Sequence, residues 1–251
     1  MDSDITDRKA ELAINVALSL LESGGEVKRA EESAERIAIA LGAKSCEVMA
    51  LLSFILIVYD APNGESITKA KKVRGGGADF SRFERLNELS RKICDGRIDF
   101  EQAEKEFITV NLKTEIGKGK LYLLSMVVAF SFAIYFGGGI SEAFSSAICS
   151  CTVQMMNLRF GGRRGNKLLF TCVTSFVAGI SCLWTVKIGI AANYDTVAIG
   201  NIMLLVPGIS LVSSARDFIG GDLLSGIMRF AESVLTALAI AVGFALPSLL
   251  L

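Results

Sequence analysis

Hydrophobic and polar positions divide the chain in two. From about residue 116 onward the sequence is a series of charge-free runs. They are Leu121–Ser141 (21 residues), Ala143–Leu158 (16), Leu168–Val186 (19), Thr196–Ala215 (20) and Ser233–Leu251 (19). A bilayer core about 30 Å thick needs about 20 mostly apolar residues in a helix. Four runs reach that length, and Glu142 sets off the shorter second one. Buried helices of a soluble protein would show more of a polar face. The pattern predicts five transmembrane helices, at about 120–140, 142–158, 168–186, 196–214 and 228–250, within a membrane domain spanning residues 116–251.

Residues 1–115 alternate differently and predict an α+β cytoplasmic domain. Thr6–Ser23 carries Leu12, Val16, Leu20 and Leu21 at the spacing of one helix face, and Gly24-Gly25 stops it. Glu26–Leu41 sets Ala34, Ile37, Ala38 and Leu41 against a charged side, and Gly42 ends it. Cys46–Tyr59 holds an apolar run too short to span a bilayer and is followed by Pro62-Asn63-Gly64, so it predicts buried strands. Ser66–Arg74 predicts a further strand. Phe80–Cys94 and Phe100–Glu115 predict two more helices, the second leading into the first span.

Charge sharpens the division. Residues 1–115 hold 17 Lys/Arg and 21 Asp/Glu, a net of −4; residues 116–251 hold 9 and 5, a net of +4. The acidic beginning has no basic and apolar leader pattern, which predicts that the first domain stays in the cytoplasm. Lys118, Lys120, Arg159, Arg163, Arg164, Lys167 and Arg216 then fall on the inner side, against Lys187 outside. This predicts a plasma (inner) membrane protein with its N-terminus cytoplasmic and its C-terminus outside. An odd number of spans reads as half of a larger assembly.

The chain has no His, which excludes Ser-His-Asp and Cys-His catalysis, His-ligated metals and a His switch. No basic tract suggests nucleic acid. The six Cys lack zinc spacing and read as reduced structural thiols, so no metal or cofactor is expected. Gly75-Gly76-Gly77-Ala78-Asp79 lacks phosphate-loop spacing and reads as a turn. The basic stretch Arg159–Lys167 reads as an anchor touching anionic lipid, with Arg163 and Arg164 as candidates for an inner mouth that draws in anionic solute.

The fourth predicted span is the most informative. It holds Asn201 and Leu204-Leu205-Val206-Pro207-Gly208, preceded by Asp195. Pro207 removes the hydrogen bond to the Met203 carbonyl, and Gly208 lets the backbone open. Broken membrane helices survive where they line a cavity or are buried in protein, and transporters bind solute there. Asn201, Pro207 and Gly208 are therefore candidate solute contacts. Asp195 and Glu142, near the outer boundary, are candidate proton carriers. Asp217, Asp222, Arg229 and Glu232 are candidates near the inner mouth, where Arg229 and Glu232 have the spacing of an ion pair. Small residues, among them Ser145-Ser146-Ala147, Gly179, Gly200, Gly226 and Gly243, favour close helix packing.

Leu204-Leu205-Val206-Pro207-Gly208, followed by Asp217, Gly221, Gly226 and Arg229, resembles the end of the N-terminal half of the threonine/serine exporter (ThrE-like) family. Gly24-Gly25-Glu26, Arg29-Ala30-Glu31, Ala40-Leu41-Gly42 and Arg85-Leu86-Asn87-Glu88-Leu89-Ser90-Arg91 resemble its cytoplasmic domain. Nearly the whole chain takes part. The resemblance implies the larger, YjjP-like subunit of the split two-component members, paired in a hetero-oligomer with a second small membrane subunit of the same family. It implies export of small polar metabolites, either threonine and serine or dicarboxylates such as succinate. Split members can differ at the position of Asp222, so its role does not carry over. Proton-coupled alternating access is the expected mechanism. The competing expectations are a membrane-anchored hydrolase-like enzyme and a regulatory binding subunit.

Overall fold

The structure, a computed structural model, describes residues 2–74, 78–112, 117–161 and 166–249, with side chains from residue 4. The predicted turn at Gly75–Gly77, the last residues of the helix expected to reach Glu115, and Arg163 and Arg164 lie outside the described residues. The chain forms two compact units. One comprises Met1–Thr114 with Ile209–Phe230; the other comprises Glu115–Gly208 with Ala231–Leu251.

The first unit begins with α1 (Asp2–Glu22) and α2 (Val27–Ala40). The Leu21 and Leu20 carbonyls accept from the Gly24 and Gly25 amides, with Gly24 at φ +91°, a conformation that favours glycine. An antiparallel sheet follows, in the order β1 (Ser45–Ala50), β2 (Phe54–Asp60), β3 (Ser66–Lys72). Then come α3 (Phe80–Cys94) and α4 (Phe100–Asn111). Asp79 caps α3 by accepting from the Arg82 amide, and Asp99 and Gln102 form a reciprocal cap on α4. Leu112 is extended and ends α4 at Asn111.

The apolar faces predicted for the first two helices are the buried ones: Leu12, Val16, Leu20 and Leu21, then Ala34, Ile37, Ala38 and Leu41. They join Ile55, Ile57 and Tyr59 of β2 and Leu86, Leu89 and Ile93 of α3 in one core. Each such aliphatic side chain contributes about 1.5–3 kcal/mol by leaving water. The strands expected over Cys46–Tyr59 form, as β1 and β2, and are buried on one face. Burial alternates along β2, and Met49 and Phe54 are exposed, because helices cover one face of the sheet and the period of a strand is two. On β3, Lys69 and Lys71 reach Glu11 of α1, and Lys69 also reaches Asp7.

The remaining helices are α5 (Lys118–Tyr135), α6 (Ile140–Phe160), α7 (Lys167–Lys187), α8 (Tyr194–Ile202), α9 (Gly208–Ile219) and α10 (Leu223–Ser248). Among the described residues, α5, α7 and α10 are long and apolar enough to cross a membrane. The helix α6 has the length, but serines, Glu142, Gln154 and Asn157 dilute its apolar content. The fourth predicted span is not one helix. The helix α8 stops at Ile202, five residues intervene, and α9 starts at Gly208. The break therefore begins before the Pro207 position. Pro207 stands immediately before α9, where a missing N–H costs little.

Candidate functional site

Two clusters of polar groups stand out, one in each unit. In the second unit, α6 buries Glu142, Ser145, Ser146, Cys149 and Ser150 among its apolar residues. The helix α7 buries Thr174, Ser175, Cys182 and Thr185. Members of each set lie three, four or seven residues apart, so each forms a stripe along one helix face. The stripes meet where the Thr152 and Ser181 hydroxyls lie 3.3 Å apart. A polar seam thus runs through an apolar bundle.

The helix α8 closes the seam. Asn193 starts it by accepting from the Asp195 and Thr196 amides. One face packs Val197 and Ala198 into the core, and the Tyr194 hydroxyl donates to the Phe244 carbonyl of α10 at 2.9 Å. Gly200 lies so close to Ser146 and to the Ala129 carbonyl of α5 that a Cβ there would collide with both. Asn201 follows, with 0% exposure. Its Nδ2 donates to the carbonyls of Ser146 (3.2 Å) and Val197 (3.0 Å), with Ser146 Oγ at 3.1 Å and Cys182 Sγ at 3.7 Å. Its Oδ1 is buried with no partner, as are the hydroxyls of Ser145, Thr174 and Ser175.

The helix break begins two residues after Asn201. The Leu204, Leu205 and Val206 amides turn back onto the Asn201 and Ile202 carbonyls, and the Gly208 amide donates to the Val206 carbonyl. Among the described residues, the carbonyls of Met203, Leu204 and Leu205 accept no hydrogen bond. Unpaired backbone acceptors are costly in an apolar setting and are retained where something else pairs with them. A Cβ on Gly208 would meet nothing within 4 Å, so Gly208 stands in open space.

The two carboxylates singled out as proton carriers have different settings. Glu142 is buried. Its Oε1 accepts from the Ala192 amide and its Oε2 from the Ser141 hydroxyl, each at 3.0 Å, which fastens the start of α6 to the segment before α8. Asp195 is exposed in the first turn of α8, where the helix N-terminus favours an anion.

In the first unit, three of the inner-mouth candidates come together with the start of α2. Arg229 Nε donates to Asp217 Oδ2 at 3.0 Å, and Arg229 Nη2 to the Gly25 carbonyl at 3.3 Å. Arg216 pairs with Glu26 at 3.3 Å. Asp222 caps α10 by accepting from the Ser225 amide, and its carboxylate raises the pKa of Glu31. Burial is the larger cause of that rise, and a hydrogen bond from the Ala50 amide (2.7 Å) opposes it. The Arg229–Glu232 pairing expected from spacing is corrected. Arg229 turns to Asp217, while Glu232 pairs with Lys167 of α7 at 2.6 Å in the other unit. The buried Asp217 carboxylate offers the guanidinium a desolvated partner, which a solvent-facing Glu232 does not.

Sequence reasoning took Ser145 and Ser146 as packing residues and did not single out Thr152, Thr174, Ser181, Cys182 or Thr185 as a polar stripe. The signal was present as a 3.6-residue polar period inside apolar runs. The meeting of Gly25-Glu26 with Arg216 and Arg229 had no local signal, since nearly 200 residues separate the partners.

Comparison with known proteins bears on both clusters. A family model described as "ThrE: Putative threonine/serine exporter" matches residues 11–250. A "Probable succinate transporter subunit YjjP" of Klebsiella aerogenes is 25% identical over 97% of this chain and 95% of its own length. The protein of that name from Escherichia coli K12 is 24% identical over 92% and 90%. A "Probable threonine/serine exporter" of Mycobacterium tuberculosis is 26% identical over 96% of this chain but only 46% of its own length. No solved structure matches the chain.

Proposed function

This chain belongs to the ThrE family of threonine/serine exporters, and we propose that it works there as one subunit of a two-component exporter of small polar metabolites. Family membership gives a membrane transporter and not an enzyme. The single observation carrying the reading is the broken α8–α9 segment, whose unpaired carbonyls adjoin Asn201 and a buried polar seam. Solute binds there, at Asn201 and at the backbone around Pro207 and Gly208.

The polypeptide crosses the inner membrane five times, α8 and α9 together making the fourth crossing, with the N-terminus inside and the C-terminus outside. The missing half comes from a second, small membrane subunit of the same family. Support for this is that the M. tuberculosis relative is about twice as long as the matched region, whereas both YjjP relatives match nearly end to end. The solute is threonine or serine, or a dicarboxylate such as succinate. Export is driven by the proton gradient, with Asp195 or Glu142 carrying the proton. Asp217, Asp222 and Arg229, joined by Arg163, Arg164 and Glu232, serve the inner mouth.

The test measures threonine and succinate retained by loaded cells that express the companion subunit, with and without this chain. Faster loss of either solute is expected when both subunits are present. No difference for any solute would sink the reading.

A further inference from the structure

The buried carboxamide of Asn201 has a fixed polarity. Two of the groups facing Nδ2, the carbonyls of Ser146 and Val197, can only accept hydrogen bonds. That assigns the nitrogen to this side and leaves Oδ1 on the other side as a pure acceptor with no partner. Flipping the amide would set its oxygen against two carbonyl oxygens, so the side chain cannot exchange acceptor for donor.

The neighbouring break supplies more acceptors of the same kind, the unpaired carbonyls of Met203, Leu204 and Leu205. All described cationic side chains of this unit, Lys118, Lys120, Arg159, Lys167 and Lys187, are exposed. Among the described residues, the seam therefore has no buried cation to offset the desolvation of a dianion. Its unpaired donors are hydroxyls, including that of Ser145 beside Ser146. Hydroxyls can take up one carboxylate, while carbonyl oxygens take up an N–H cation.

We propose that Asn201 is a specificity-determining residue whose Oδ1 accepts a hydrogen bond from a protonated amine of the solute, so that the site selects ammonium-bearing solutes over dicarboxylates. This rests on the reading of the α8 break as the solute site. A charged donor on a buried, otherwise unpaired acceptor is worth about 10- to 100-fold in discrimination.

The experiment compares export of L-threonine, 3-hydroxybutyrate and succinate by cells holding both subunits. 3-Hydroxybutyrate is threonine without its ammonium. The wild type is expected to export threonine at least about ten-fold faster at low load than either of the others. Asn201→Leu, which keeps the branching and the number of side-chain heavy atoms, is expected to remove that preference. Ser146→Ala, which leaves the Asn201 carboxamide and its Oδ1 in place, is expected to retain it. A purely structural role would lower every solute by one factor and leave the ratio unchanged, which overturns the proposal. Wild-type export of succinate or 3-hydroxybutyrate as fast as threonine also overturns it, leaves the exporter reading intact, and needs no variant to fold. Export of none of the three overturns the exporter reading itself.

Discussion

Single residues in this chain are constrained mainly by how little room or water surrounds them. Gly200 shows the steric case, since any Cβ would strike Ser146 and a backbone carbonyl of α5. Backbone cannot swing aside as a long side chain can. Gly200→Ala is expected to cost about 1–3 kcal/mol, read as a lower unfolding temperature of the detergent-solubilised chain. Unchanged stability would mean that the three helices do not approach so closely. Cys46 shows the solvation case. Burial, with the carboxylates of Glu35, Asp60 and Glu47 adding to it, pushes its thiol up to about 12. At pH 8 only about one molecule in ten thousand is then the thiolate. Alkylation of Cys46 by iodoacetamide, followed by mass spectrometry, is expected to be slower by roughly a thousand-fold than for an ordinary thiol. Rapid labelling at pH 8 would contradict the burial.

Elements form where local signals and tertiary demands agree, and their failures to agree are instructive. The strand β3 carries Lys69 and Lys71 on the side that faces α1, and Glu11 receives both. Burial raises the pKa of Glu11, but the hydrogen bonds and charges of Lys71 and Lys69 outweigh it, and the net shift is downward. A carboxylate lowered in the folded state stabilises above its ordinary value and loses that effect as pH falls through the lowered one. Glu11→Gln is expected to cost about 0.5–1 kcal/mol at pH 7, as for other partly exposed pairs, and progressively less as the pH falls through the lowered value. A gap in unfolding temperature that does not narrow as the pH is lowered would refute this. The helix α2 and the helix Phe80–Cys94 were readable in the sequence because an apolar period is followed by a glycine stop, Gly42 for the first and Asp95-Gly96 for the second. The α8–α9 break was only half readable. Proline marked its end, but its start at Ile202 follows from Asn201 being held by α6, a contact between residues 55 apart. Likewise the spacing of Arg229 and Glu232 suggested a partner, and a more buried carboxylate elsewhere took the arginine.

At the scale of the whole molecule, the chain's formal neutrality conceals where its charges are spent. The buried Asp217–Arg229 pair lies in a unit that combines the N-terminal 114 residues with Ile209–Phe230, and Arg229 also holds the Gly25 carbonyl. Both ends of the ion pair are nearly dry, with the side chains 2% and 11% exposed. Removing one member strands the other without water or counter-charge, at a cost of about 3–5 kcal/mol. Replacing both with apolar side chains removes the stranded charge together with the attraction. Arg229→Met and Asp217→Leu are therefore each expected to be more damaging alone than in combination, a coupling that a double-mutant cycle on thermal unfolding would measure. Strictly additive losses would mean that the pair does not act as a unit. Because Arg229 bonds to Gly25 as well as to Asp217, Arg229→Met also releases the α1–α2 turn, which Asp217→Leu does not do directly. Hydrogen exchange at Gly24 to Ala30 is therefore expected to quicken more in the arginine variant. Equal exchange in the two variants would show that the turn is held by its own glycine geometry and that the arginine contributes nothing to it.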